Sequence, residues 1–275
     1  MTDEALPNSI VTWITGKGWS SHHDQWHFER RWDYWHALAT QPEHPPWIDQ
    51  MIADANAKGW TRASVQEGSP GNGEDFLFMH RAMFQLLNDN FPQHAHFFRG
   101  WHSPPQEQED PEDPVSEDPN NPATGAFNDH LKNAIRKIEA RTPVLGDDDA
   151  FGLFTETNLK PTPGDPLARN PDLETGIHNY LHNRWIDPNS PVNLGDPRVN
   201  HLNTRFWKLH GWIDHQWWRF RRSKGFDDGS TDYQAKLRFY LEMMNRDAHL
   251  EHFAEVARNI GPIATRNVFA FDVFP

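Results

Sequence analysis

The chain of 275 residues contains no cysteine. That excludes disulfides, thiolate metal ligands, iron–sulfur clusters and a cysteine nucleophile. Basic residues are few, 26 against 39 acidic ones, which leaves a net charge of -13 with histidine neutral. An acidic chain repels phosphate, so neither nucleic acid nor an anionic membrane surface is expected as a partner. No apolar run approaches the roughly 18 residues of a membrane-spanning helix. The first residues, MTDEALPNS, have neither the basic end nor the apolar stretch of a secretory signal. The expected location is therefore the cytoplasm. Tyrosine is scarce, at 4 residues, yet 13 tryptophans and 18 phenylalanines supply ample apolar surface for a core. With sulfur gone, the 17 histidines are the metal-ligating resource of the sequence.

Helical spacing dominates the apolar pattern. Trp26, Phe28, Trp32, Trp35 and Leu38 predict a helix over 24–39, with Asp24 as its N-cap. Pro42, Pro45 and Pro46 end it, and a second helix is expected from Trp47 to Ala57. Further helices are expected at 76–90, 127–140, 175–185, 204–222 and 232–259. The acidic, proline-rich run 103–124 has no core-forming composition and reads as a surface loop. Residues 260–275 alternate enough for a short strand in a C-terminal extension. The expected fold is mainly α, one domain over 1–275, a helical bundle with long irregular loops.

Three stretches carry chemistry. In GIHNYLH, His178 and His182 are four residues apart, so a helix puts both imidazoles on one face. His23 and His27 share that spacing, where a polar helix face is the simpler reading. In RFWKLHGWIDHQWWRF, His210 sits in an aromatic helix, and Asp214 one turn later suits the orientation of a ligand imidazole or a neighbouring cation. In FLFMHRAMFQLL, His80 opens an apolar helix and is followed by Arg81. The many tryptophans read first as core.

Taken together, these stretches resemble the type-3 copper proteins, the family of tyrosinases, catechol oxidases and hemocyanins. The second copper half of that family reads H-N-x-x-H, a long loop, then D-P-x-F-[FW]-x-L-H-x-x-x-D-x-x-[WF]. Here His178-Asn179-Tyr180-Leu181-His182 is followed by Phe206-Trp207-Lys208-Leu209-His210 and then Asp214 and Trp217, with Asn203-Thr204 in place of D-P. The first half reads F-L-P-W-H-R-x-[YF], similar to Phe76-Leu77-Phe78-Met79-His80-Arg81. The resemblance spans about residues 25–220, with its specific motifs at about 76–84 and 176–218.

The resemblance implies a tyrosinase-like helical bundle around a metal site, and a copper oxidoreductase or monooxygenase that uses O2 on a phenol or related aromatic. A specialised biosynthetic step would suit such a divergent member. It implies His178, His182 and His210 as ligands of one copper and His80 as a ligand of another. Asn179 matches a position that helps a water deprotonate the phenol. A glutamate is expected near it, with Glu174 and Glu156 both preceding His178 in the chain. Two first-half ligands of the family pattern are missing, because Gly71 or Asn72 and the stretch up to Ala55 stand where histidines belong. Three readings stay open. One metal is held by His178, His182 and His210, zinc being an option as well as copper. A second is held by His80 with Asp54, Asn72, Glu74 or Asp75. Or a histidine of the group His22, His23, His27 and His36 completes the site. His94, His96 and His102 read as structural, and His249 and His252 as surface residues. The rival function is a single-metal or metal-free descendant that acts as a non-oxidative enzyme or binds a ligand.

Overall fold

A computed structural model describes residues 4–106, 128–140, 145–187 and 189–247. Ten α-helices fall in these residues: α1 Asn8–Gly16, α2 Trp19–Arg30, α3 Trp32–Ala39, α4 Trp47–Ala57, α5 Asn72–Asn90, α6 Asp129–Glu139, α7 Asp148–Glu156, α8 Ile177–Arg184, α9 Thr204–Lys224 and α10 Thr231–Met244. Among the described residues the extended pairings are isolated bridges, such as Ala5 with Asn203, and the fold is mainly helical.

The helices form where apolar spacing and capping agree. In α6, Leu131, Ala134, Ile135 and Ile138 are the buried residues, one stripe at helical spacing. Burial of each larger side chain among them contributes about 1.5–3 kcal/mol. Asn128 starts that helix by accepting from the Leu131 N–H, and Asn203 starts α9 by accepting from Arg205 N–H. Gly225, with φ 69°, ends α9 in the left-handed conformation that suits glycine.

The core is aromatic. Trp19, Trp35, Trp207, Trp212 and Trp217 are among its largest fully buried side chains. One large cluster joins α1, α2 and α5–α10, and a smaller one lies between α3, α4 and Trp60. α5 and α7 approach so closely that a Cβ on Gly152 would lie 2.0 Å from the Gly73 carbonyl oxygen. That backbone contact sets Asn72, at the start of α5, beside Glu156, at the end of α7.

Several expectations are corrected. The helix predicted over 24–39 breaks at Arg31 into α2 and α3, and it begins at Trp19. Asp24 is therefore a buried mid-helix residue rather than an N-cap. Helices α1 and α7 carried too short an apolar pattern to be read, and α5 begins four residues before Phe76. Most of the 103–124 run, the 260–275 extension, His249 and His252 lie outside the described residues.

Candidate metal centre

Four helices supply six buried histidines. His178 and His182 stand on consecutive turns of α8, and Gly176 (φ 82°) caps that helix against Asn158, where a side chain would collide with backbone. His210 lies on the facing side of α9. The three offer ligand atoms within 4.8 Å of one another. His210 Nε2 lies 3.3 Å from His178 Nε2 and 3.2 Å from His182 Nε2.

His23 and His27 on α2 form a second such group with His80 on α5. His27 Nε2 lies 3.2 Å from His23 Nε2. Their exposure, 1% for His23 and 2% for His27, overturns the polar-face reading of this pair. Both halves thus repeat one device, two histidines four apart on a helix and a third from a longer helix. The halves meet where the His80 and His210 rings stack, centroids 3.9 Å apart and planes at 15°.

The other first-half candidates are engaged elsewhere. Asp54 is exposed and accepts from Gln50, Glu74 pairs with Lys236, and Asp75 pairs with Arg30. Asn72 donates to Glu156 instead. His22 is half-buried, and His36 bonds the Trp32 carbonyl and stacks on the Trp32 ring. His94, His96 and His102 belong to neither histidine group.

The imidazoles are fixed from behind. His23 Nδ1 lies 2.7 Å from the Pro197 carbonyl oxygen, His182 Nδ1 2.8 Å from that of Leu194, and His80 Nδ1 2.9 Å from that of Phe76. A carbonyl only accepts, so each Nδ1 carries the proton and each Nε2 keeps its lone pair for a metal. His178 Nδ1 is held the same way by the Asn179 side-chain oxygen at 2.8 Å. Burial drives all six histidines toward the neutral form. It lowers His23 to about 4 and His182 to about 3, and pushes His27, His80, His178 and His210 well below the usual range. Neutral imidazole is the metal-binding form. Phe76 and Phe206 pack edge-on or tilted against these rings and cover them with apolar surface. A crevice lined by Phe76, Leu77, Ile213 and Asp214 borders His80 and His210. Asp214 orients a cation rather than an imidazole, accepting from Arg81 Nε at 2.7 Å.

Glu174 is not beside Asn179. It pairs with Lys137. The carboxylate at Asn179 is Glu67, which accepts from Asn179 Nδ2 at 3.3 Å and from both Arg31 Nε and Nη2. Glu67 escaped the sequence reading because it lies in the irregular stretch between α4 and α5, more than 100 residues from Asn179. Glu156 is also at the centre, 1% exposed, with His27 and Glu67 as neighbours. Desolvation, with Glu67 adding to it, raises its carboxyl well above the usual range.

No protein-family model matches the chain, and no curated protein matches its sequence. Buried histidine and glutamate groups here could hold metal, and no described helix is long and apolar enough to cross a membrane.

Proposed function

We propose that this protein is a tyrosinase-like copper oxidoreductase that uses O2 to oxidise a phenol or related aromatic. The observation that carries the reading is the pair of three-histidine groups joined through the stacked His80 and His210 rings. Six imidazoles without thiolate suit copper, since imidazole nitrogen binds it well. The donor set fits the ion, because the Nε2 atoms converge while four Nδ1 atoms are tied down behind them. Ligands of one ion would be His23, His27 and His80, and of the other His178, His182 and His210.

Bound copper would supply O2 activation and electron transfer. The chain's own residues do the rest. The carbonyls of Pro197, Leu194 and Phe76 fix ring tautomers and keep the ligands from swinging. Phe76 and Phe206 cover the cluster with apolar surface. A phenol must lose its hydroxyl proton to bind and react, and a positioned acceptor speeds that loss. Glu67 supplies the carboxylate for this step through a water held with Asn179, in place of Glu174. Arg31 holds Glu67 in position.

Copper content per chain, read together with oxygen uptake on a phenol and a catechol, tests the reading. Two coppers and aromatic-dependent uptake are expected. Two metals without uptake on any phenol or catechol would overturn the oxidase and leave a non-oxidative metal enzyme.

A further inference from the structure

Beside the two histidine groups lies a third cluster of different composition. His27, Glu67 and Glu156 offer ligand atoms within 4.8 Å of one another, and all three are buried. Its chemistry is not that of the histidine groups, because oxygen outnumbers nitrogen.

Charge is out of balance there. Glu67 and Glu156 bring two carboxyl groups into the interior, and Arg31 brings one guanidinium; Arg30, close enough to act on Glu156, is paired with Asp75. Arg31 spends itself on Glu67, bonding both of its oxygens. Glu156 receives only the neutral Asn72 amide, at 2.5 Å on Oε2. Its other oxygen, Oε1, is fully buried with no hydrogen-bond partner, and so is Asn72 Oδ1. Orphaned acceptors in a dry interior are costly, and natural folds keep them where something electropositive sits. His27 adds one ring nitrogen within 4.8 Å of both carboxylates.

We infer that His27, Glu67 and Glu156, with the Asn72 amide oxygen alongside, form a separate binding site for a divalent cation of borderline-to-hard character such as zinc. Mixed nitrogen and oxygen donors suit such an ion, whereas the all-imidazole groups suit copper. The ion supplies the positive charge that Arg31 does not, and it meets the free Glu156 oxygen. His27 belongs both to this site and to the His23–His27–His80 group, so the two lie side by side. The inference goes beyond the oxidase reading and does not depend on it, since a cation can occupy this site whether or not copper fills the others.

The test is zinc loading of the full chain, followed by anomalous diffraction at the zinc edge and by zinc titration in solution. An anomalous peak within bonding distance of Glu67 and Glu156 is expected. Glu156→Gln and Glu156→Ala should each lower the zinc stoichiometry by one equivalent and erase that peak, while peaks at the histidine groups stay. His178→Ala should leave the carboxylate peak in place. A wild-type crystal with zinc or copper at the histidine groups and nothing at Glu156 would overturn the inference and leave the oxidase reading standing; Glu156 would then simply carry a proton. An unchanged zinc stoichiometry in both Glu156 variants would overturn it as well. A peak at Glu156 with empty histidine groups would support it while removing the oxidase reading.

Discussion

His80 and His210 come from opposite halves of the chain, yet their rings stack in parallel, 3.9 Å between centroids. That contact places two three-nitrogen groups side by side, and it is what makes a coupled pair of ions a reasonable expectation rather than two unrelated sites. Each half can therefore be removed separately.

Copper content should follow the halves. His23→Ala or His27→Ala should lower it from two per chain to one, and so should His178→Ala. His36→Ala should leave it at two, because His36 stacks on Trp32 outside both groups. Elemental analysis decides it, and two coppers retained in His23→Ala would return the α2 pair to a structural role.

Glu67→Gln should destabilise the fold strongly. Arg31 and Glu67 side chains are 0% and 2% exposed, so the substitution removes the carboxylate bonded to a buried guanidinium. Breaking one side of such a pair typically costs about 3–5 kcal/mol. Replacing both, as Arg31→Met with Glu67→Leu, should recover much of that loss. Urea midpoints of the three variants measure it; a double variant no more stable than Glu67→Gln would show that the pair has no mutual compensation.

Gly152→Ala should cost about 3 kcal/mol or more, at the severe end of overpacking. The new methyl meets the Gly73 backbone, which has no rotamer to yield. Pushing α7 from α5 also parts Asn72 from Glu156. A thermal midpoint within a degree of the parent would show that the two helices separate freely.

Acid should weaken the metal-free protein through its histidines. Their folded pKa values lie below the unfolded value of about 6.5, at about 4 for His23 and about 3 for His182. Below pH 6.5 the unfolded chain takes up protons that the fold refuses. The stabilising contribution is thus whole above that pH. It is lost as pH falls toward 4 for His23 and toward 3 for His182, at up to about 1.4 kcal/mol per unit for each group. Glu156 acts in the opposite sense, since its folded value is raised and its contribution is lost as pH rises through it. The six histidines, with buried His201 lowered as well, outnumber the raised carboxyls of Glu156, Glu4 and Asp148, so urea midpoints should still drop steeply between pH 6.5 and 4.5. A flat profile over that range would contradict the burial of these rings in the neutral form.

Much of this site is legible in the sequence, and the exceptions are instructive. Spacing predicts that His178 and His182 share a helix face, the family resemblance adds His210, and the structure brings the three together. His23 and His27 have the same spacing but sit among serines, an aspartate and a glutamine, so their helix looks polar, and burial comes only from tertiary packing. Glu67 has no local signal at all, because its role depends on Asn179, which reaches it across the fold. The break at Arg31 was hidden by a continuous apolar stripe. At that break Arg31 is buried and paired with Glu67, which lies far along the chain. Helix α7 was missed because nine residues carry too few periods to read.

None of the six histidine side chains is more than 4% exposed, and aromatic rings close around them. Among the described residues a narrow crevice reaches His80 and His210, and the helices must part for an ion to pass it. Filling the site becomes a two-step process in which opening precedes capture. As metal concentration rises, the rate of uptake should climb and then level at the opening rate. The same gate works outward, so an ion once captured leaves only as often as the helices breathe, and chelators of very different strength should strip it at one common rate.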